Sequence, residues 1–255
     1  MLPIGDDNSD RTRSPFVNYI LIALNILVFV FLQRMGADIG FTYSNSTVPG
    51  EILTGNDIVT NSKIMVDPYT GDEFQLPGLG VTPGHVWFTL ITSMFMHGGW
   101  AHLGGNLLYL WVFGDNIENR LGHIRYLFFY LLTGLIASLT HVLTTQFLGH
   151  NLLIPSLGAS GAISGILGGY LLLFPTRRVH VFLIFTIVSV PAILALGFWI
   201  VLQILNGTSA LGGDEAGGVA YSAHIGGFIA GLVLIKFFDL GQPVAVREQK
   251  KFFNR

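Results

Sequence analysis

Long apolar runs, separated by short polar breaks, dominate this chain. Runs able to cross a hydrocarbon core of ~30 Å extend from Phe16 to Leu32, about Trp100 to Ile117, Tyr126 to Leu143, Ala159 to Pro175, Val179 to Leu205 and Ala220 to Phe238. The second is less uniform, and the fifth is long and broken by Pro191. A weaker piece, His85 to Met96, is too short to span and is expected in the interface. The pattern predicts an all-α, multi-pass integral membrane protein with six transmembrane helices.

Positive charge orients such a bundle. Arg11 and Arg13 precede the first span, and Arg120 and Arg125 separate the second from the third. Arg177 and Arg178 separate the fourth from the fifth, and Lys236, Arg247, Lys250, Lys251 and Arg255 close the sixth or follow it. Of the 13 Lys and Arg, only Arg34 and Lys63 fall on the opposite side. Both termini are therefore expected in the cytoplasm. No small-residue cleavage site follows the first helix, which reads as a retained anchor.

Residues 1–15 form an N-terminal cytoplasmic segment in this reading, 16–239 the membrane domain and 240–255 a cytoplasmic tail. The first outer loop, about 35–99, is long and polar, with turn residues such as Asn45, Pro49, Gly50, Pro68 and Gly71. The second, Thr144 to Leu157, is uncharged; the third, Asn206 to Val219, is glycine-rich and reads as flexible. Two glycosylation-type triplets, Asn45-Ser46-Thr47 and Asn206-Gly207-Thr208, carry little weight. Neither half of the chain repeats the other.

Composition sharpens the class. Only 11% of the 255 residues are charged and 51% are hydrophobic, against roughly 25% charged in soluble domains. There are 32 glycines, where average usage of about 7% gives roughly 18, and excess Gly in an apolar chain points to closely packed membrane helices. A net charge of −2 gives no reason to expect nucleic acid. With no cysteine the chain has no disulfide, thiol nucleophile or thiolate metal site.

Polar side chains inside spans are costly and by default functional. The second, fourth and sixth spans all run from outside to inside. His102 and Asn106 lie in the first two turns of the second, Ser160 begins the fourth and His224 is near the start of the sixth. At 1.5 Å per residue all four sit a few Å to ~10 Å below the outer surface. Their neighbours permit close approach. Ser160, Ser164 and Gly168 recur every four residues beside Gly161, Gly165 and Gly169, while Gly227 and Gly231 follow His224 at i+3 and i+7. A contact along these faces sets a hydroxyl beside an imidazole, the geometry of an activated serine nucleophile. Taken singly, Ser160 reads as structural and His224 as a helix–helix hydrogen-bond partner. Their common depth and flanking small residues favour chemistry. His102 and Asn106, at i and i+4, add donors of the kind an oxyanion hole needs, with backbone N–H groups near Ser160.

Other intramembrane chemistries lack their residues. There is no His-Glu-x-x-His helix for a zinc protease. No span holds a carboxylate away from its cytoplasmic end, and Leu211-Gly212-Gly213-Asp214 reads as a loop. A small-solute transporter usually shows repeats and intramembrane charge. Glu118 and Arg120, with Asp115, read either as interfacial charges or as a structural ion cluster. His85, His123, His141, His150 and His180 lie near span ends and loops and are expected to be solvated there.

From about Trp87 to Asp239 the chain resembles the rhomboid intramembrane serine proteases. The resemblance rests on His97-Gly98-Gly99-Trp100-Ala101-His102 followed by Asn106, Glu118-Asn119-Arg120, Gly158-Ala159-Ser160-Gly161, and Ala223-His224 continued by Gly227 and Gly231. It implies a six-helix rhomboid-like bundle with an embedded first-loop hairpin, a mobile fifth helix as gate, and the following loop as cap. Ser160 would be the nucleophile and His224 the base of a dyad without aspartate. His102, Asn106 and the Ser160 N–H would stabilise the oxyanion. His97 would be a supporting position, and Glu118 and Arg120, with the motif glycines Gly158, Gly161, Gly227 and Gly231, structural.

The implied activity is serine endopeptidase cleavage of transmembrane segments of membrane-protein substrates, in contact with lipid. No metal, cofactor or nucleic acid is expected, and the expected location is a bacterial plasma (inner) membrane. A catalytically silent rhomboid-like protein that binds membrane clients is the alternative. Two departures stand out. Some members carry a Tyr four residues after the nucleophile, stacked on the catalytic His; here that position is Ser164, leaving the group that orients His224 unnamed. The polar insertion from about Gly40 to Gly84 is also longer than a minimal member requires.

Overall fold

The computed structural model describes residues 2–66, 70–210 and 220–240. Most of the glycine-rich loop expected on the outer side (211–219 of it) and the basic tail (241–255) lie outside the described residues.

Helix α1 (Phe16–Leu27) runs on through a π-helical turn, Val28–Leu32. Helices α2 (Ile39–Ser44) and α3 (Pro49–Thr54) follow. A short helix, α4 (Thr89–Thr92), flanked by 3-10 turns, forms where the interfacial piece is expected. The larger helices are α5 (Trp100–Leu121), α6 (His123–Leu148), α7 (Ser160–Leu173), α8 (Ala192–Ala210) and α9 (Tyr221–Phe238). Of these, α6 and α9 are long and apolar enough by themselves to cross a membrane.

The core sits around α7, in which every residue from Gly161 to Tyr170 is buried. Helices α5, α6 and α9 surround it, contributing Phe113, Tyr126, Phe129, Tyr130, Phe228 and Ile235. Large apolar side chains also crowd the outside, with Phe31, Phe128, Phe147, Val201 and Val233 half or more exposed. Both faces are apolar because hydrocarbon is as good a solvent for Leu as a protein core.

The fifth predicted span needs correction. Residues Arg178–Leu183 (β4) and Thr186–Pro191 (β5) pair antiparallel, and helix begins only at Ala192. The run is rich in β-branched residues with period 2. Val179 and Val181 face inward, His180 and Phe182 outward, and Ile184 turns with φ +57°. Pro191, lacking an N–H, stands at the strand's end. The chain's first residues complete this sheet: β1 (Leu2–Asp6) pairs antiparallel with β4, giving the order β1-β4-β5.

Polar contacts fasten this end of the molecule. Tyr170 Oη and Asn116 Nδ2 donate to Asp6 at 2.5 and 2.7 Å. Burial pushes the Asp6 carboxyl up to about 7, against the opposing hydrogen bond from Tyr170. Arg177 binds Asn116 and Asp10, and Arg11 meets Asp115 at 2.8 Å.

At the opposite end the insertion is a folded cap. The Asp38 side chain accepts from Phe41 N and starts α2; Pro49 at the first turn and Gly55 in the left-handed region bound α3. A hairpin pairs β2 (Lys63–Val66) with β3 (Glu73–Leu76). Buried Glu51 accepts from Ile58 N and Thr82 Oγ1 and ties α3 to the returning chain. Thr47 exchanges both backbone hydrogen bonds with Ser156 in the loop between α6 and α7, at 2.9 and 2.8 Å.

Candidate active site

Ser160 is the first residue of α7, where the early N–H groups of a helix have no intrahelical acceptor. The turn that delivers it depends on Gly158, whose φ of +123° disfavours any side chain. Gly158 N donates to Ser93 O at 2.9 Å, and Ser93 Oγ receives the Thr47 hydroxyl at 2.9 Å. The loop leading to Ser160 is thus tied to the cap at both Ser156 and Gly158.

His224 lies on the first turn of α9, with Nε2 2.8 Å from Ser160 Oγ. The two helices come this close because glycines face the seam. A Cβ on Gly227 would stand 2.2 Å from the Gly161 carbonyl oxygen, and one on Gly231 2.0 Å from that of Gly165. Gly161 serves two seams: its carbonyl meets Gly227 of α9, and its own Cβ position points at Ala137 of α6, 2.7 Å away. Ser164 donates to the Ser160 carbonyl and does not reach the imidazole.

The partner of His224 Nδ1 is Gln203 Oε1 on α8, at 2.8 Å. Sequence reasoning missed this residue. Its signal was available, since Gln203 is the one amide or charged side chain between Ala192 and Leu205. The Trp199 ring lies 6.1 Å from the imidazole and Tyr221 6.5 Å, edge-on.

His102 and Asn106 project from one face of α5. A Cβ on Gly158 would lie 2.7 Å from His102 Nε2 and 3.6 Å from Ser160 Oγ, so the imidazole and the hydroxyl flank one small volume. Asn106 is buried, and its Nδ2 has no hydrogen-bond partner among the described residues. A buried donor left unpaired is costly and calls for an explanation. His97 is fully buried, with its backbone N–H and carbonyl both bonded to the Gln33 amide. Its ring meets that of His102 edge-on at 5.2 Å.

Glu118 and Arg120 stand at the far end of α5. The Glu118 carboxylate accepts from Val17 N and Asn18 N at 3.0 and 2.7 Å, closing the start of α1, and meets His123 Nδ1 at 2.5 Å. Arg120 grips Asp239 through two bonds of 2.5 and 2.8 Å. His123 is therefore part of this cluster and not simply solvated. His141, likewise, faces Ser222 Oγ at 3.1 Å across α6 and α9.

Known proteins match along this same stretch. The Rhomboid domain profile matches residues 84–239. Rhomboid protease GluP of Bacillus subtilis is 29% identical over 88% of this chain and 36% of its own length. Rhomboid protein 1, mitochondrial, of Saccharomyces cerevisiae is 32% identical over 57% of this chain and 40% of its own. RHOMBOID-like protein 5 of Arabidopsis thaliana is 33% identical over 68% and 49%. The chain spans between a third and a half of the length of these relatives. The match covers α5, α6, α7, α8 and α9, and with them the Ser160–His224 pair and the His102–Asn106 face. The chain belongs to the rhomboid family of integral membrane proteins.

Proposed function

We propose that this protein is an intramembrane serine endopeptidase that cleaves transmembrane segments of membrane proteins with a Ser160–His224 dyad. The observation that carries the reading is the 2.8 Å separation of Ser160 Oγ and His224 Nε2, hydrogen-bond reach for a nucleophile and its base. His224 Nε2 takes the hydroxyl proton as Oγ attacks the scissile carbonyl. The resulting imidazolium hands that proton to the leaving amine, and water, activated by the same base, resolves the acyl-enzyme. The oxyanion is met by the unpaired Asn106 Nδ2, by His102, and by the free N–H groups at the start of α7. Donors held in place before charge develops are usually the largest single contribution to such a reaction.

Six spans with both termini cytoplasmic complete the proposal. The membrane domain runs from 16 to 239, between cytoplasmic segments 1–15 and 240–255, in the plasma membrane of a bacterium. Two contacts support this topology: β1 pairs with β4, joining two segments assigned to the inside, and Thr47 pairs with Ser156, joining two assigned to the outside. Gly158, Gly161, Gly227 and Gly231 serve close packing, His97 backs His102, and Glu118 and Arg120 fasten the inner ends.

Labelling of purified protein with a fluorophosphonate tests the reading. The adduct is expected on Ser160, and labelling is expected to vanish in His224→Ala. Absence of any adduct on Ser160 would sink it.

A further inference from the structure

We infer that Gln203 is a positioning residue that fixes the tautomer and ring orientation of His224, taking the part that a carboxylate plays in a serine triad. The inference rests on the dyad proposed above. For Nε2 to accept the Ser160 proton, the neutral imidazole must carry its own proton on Nδ1, and that proton needs an acceptor. Gln203 Oε1 lies 2.8 Å from Nδ1, in line for it.

The placement is costly enough to need a reason. Between Ala192 and Leu205 every other side chain of α8 is apolar or glycine, and Ile193, Leu194, Phe198, Val201, Ile204 and Leu205 are exposed on its outer side. An amide in such a segment must find a partner or carry an unpaired polar group in hydrocarbon. Among the described residues the partner of the Gln203 side chain is His224. Among the described residues no Asp or Glu bonds to His224, and position 164 holds a serine bonded to its own helix. An amide oxygen supplies direction without charge. It orients the ring and leaves the developing imidazolium less stabilised than a carboxylate would. The dyad thereby depends on a third helix: α7 brings the hydroxyl, α9 the base, and α8 the group that aims the base.

The test pairs kinetics with a direct view of the tautomer, using full-length protein in detergent and a cleavable transmembrane substrate. Gln203→Leu removes the acceptor at similar size; kcat is expected to fall at least about 10–100-fold, the cost of losing the partner that orients a metal-binding histidine, with KM unchanged. Gln203→Glu keeps an oxygen acceptor and is expected to retain activity within a few-fold of wild type. Imidazole ¹⁵N NMR of the wild type, with His224 assigned by its loss in His224→Gln, is expected to show the Nδ1–H tautomer. Its dominance should disappear in Gln203→Leu. An Nε2–H tautomer in the wild type, or equal kcat in wild type and Gln203→Leu, would overturn the inference. Absence of cleavage by the wild type would instead count against the protease reading, and the tautomer measurement would still decide the role of Gln203.

Discussion

Gly168 and Phe228 meet where α7 and α9 cross, so closely that a Cβ on Gly168 would lie 2.1 Å from the Phe228 carbonyl oxygen. With Gly227 and Gly231 pressing from the other side, the seam has glycine on both helices. Its stability comes from van der Waals contact, since lipid gives no hydrophobic drive between helices. Gly231→Ala or Gly168→Ala should therefore separate α7 from α9, costing about 1–3 kcal/mol as overpacking does, and should lower cleavage because Ser160 and His224 ride on those helices. Gly197 on α8 is the control, with no described residue within 4 Å of its Cβ position; Gly197→Ala should be neutral or slightly stabilising. Thermal unfolding and cleavage rates measured together check this. A Gly231→Ala protein as stable and active as Gly197→Ala would refute the close seam.

Gly158 makes a different demand. Alanine there faces both the strain of φ +123° and a clash with His102. A residue forced into a sparsely populated backbone region costs about 1–3 kcal/mol, and the clash displaces an imidazole that flanks Ser160. Gly158→Ala should lose most of its activity while unfolding only a few degrees earlier. Wild-type turnover in that variant would show that the 156–160 turn does not depend on glycine.

At the other end Glu118 should be structural in a measurable way. Its carboxylate satisfies two N–H groups at the start of α1, each bond to a charged acceptor being worth about 1.5–3 kcal/mol. Losing both costs about 3–6 kcal/mol, so Glu118→Ala should lower the unfolding midpoint by roughly 6–24 °C, given about 2–4 °C per kcal/mol for chains of this size. Turnover per folded molecule should stay near wild type. Lost turnover without lost stability would place Glu118 in the chemistry instead.

Asp6 gives the β1 strand a pH dependence. Its carboxyl is pushed up to about 7 by burial, so between its ordinary value near 4 and about 7 the folded state holds more protons than the unfolded one. The stability this group contributes is then present at low pH and falls as pH rises through that window. Asp6→Asn removes the titration. The wild type should lose more thermal stability than Asp6→Asn between pH 5 and pH 8; parallel losses would contradict the assignment.

Much of this molecule could be read from residue order alone, where the physics is local. Apolar run length located α1, α5, α6, α7 and α9 within a few residues, and small-residue spacing set Ser160 beside His224. Three features escaped for physical reasons. A short apolar run bounded by turn signals suits a strand as well as a buried helix, and residues 179–190 went the other way. The Thr47–Ser156 bridge joins two loops through backbone groups, which leave no mark on side-chain pattern. The Gly161 face turned toward α6 because three helices compete for one small-residue helix, and spacing does not say which neighbour takes which side. Gln203 is different, since a lone amide in an apolar span is itself a signal.

The proposed oxyanion donors should separate from the proposed dyad by degree. Asn106→Leu removes the unpaired Nδ2 and should lower kcat by about 10²–10³, the typical loss for one such donor, leaving fluorophosphonate labelling of Ser160 detectable. No change in kcat would mean that Nδ2 does not face the reacting carbonyl.

Cleavage of a single-pass transmembrane substrate in proteoliposomes, by wild type and by Ser160→Ala, tests the central claim most directly. The wild type should cut within or just above the bilayer. Ser160→Ala, which loses one hydroxyl from a helix otherwise unchanged, should unfold at the wild-type temperature and cut nothing. Cleavage by Ser160→Ala at the wild-type rate would contradict the account.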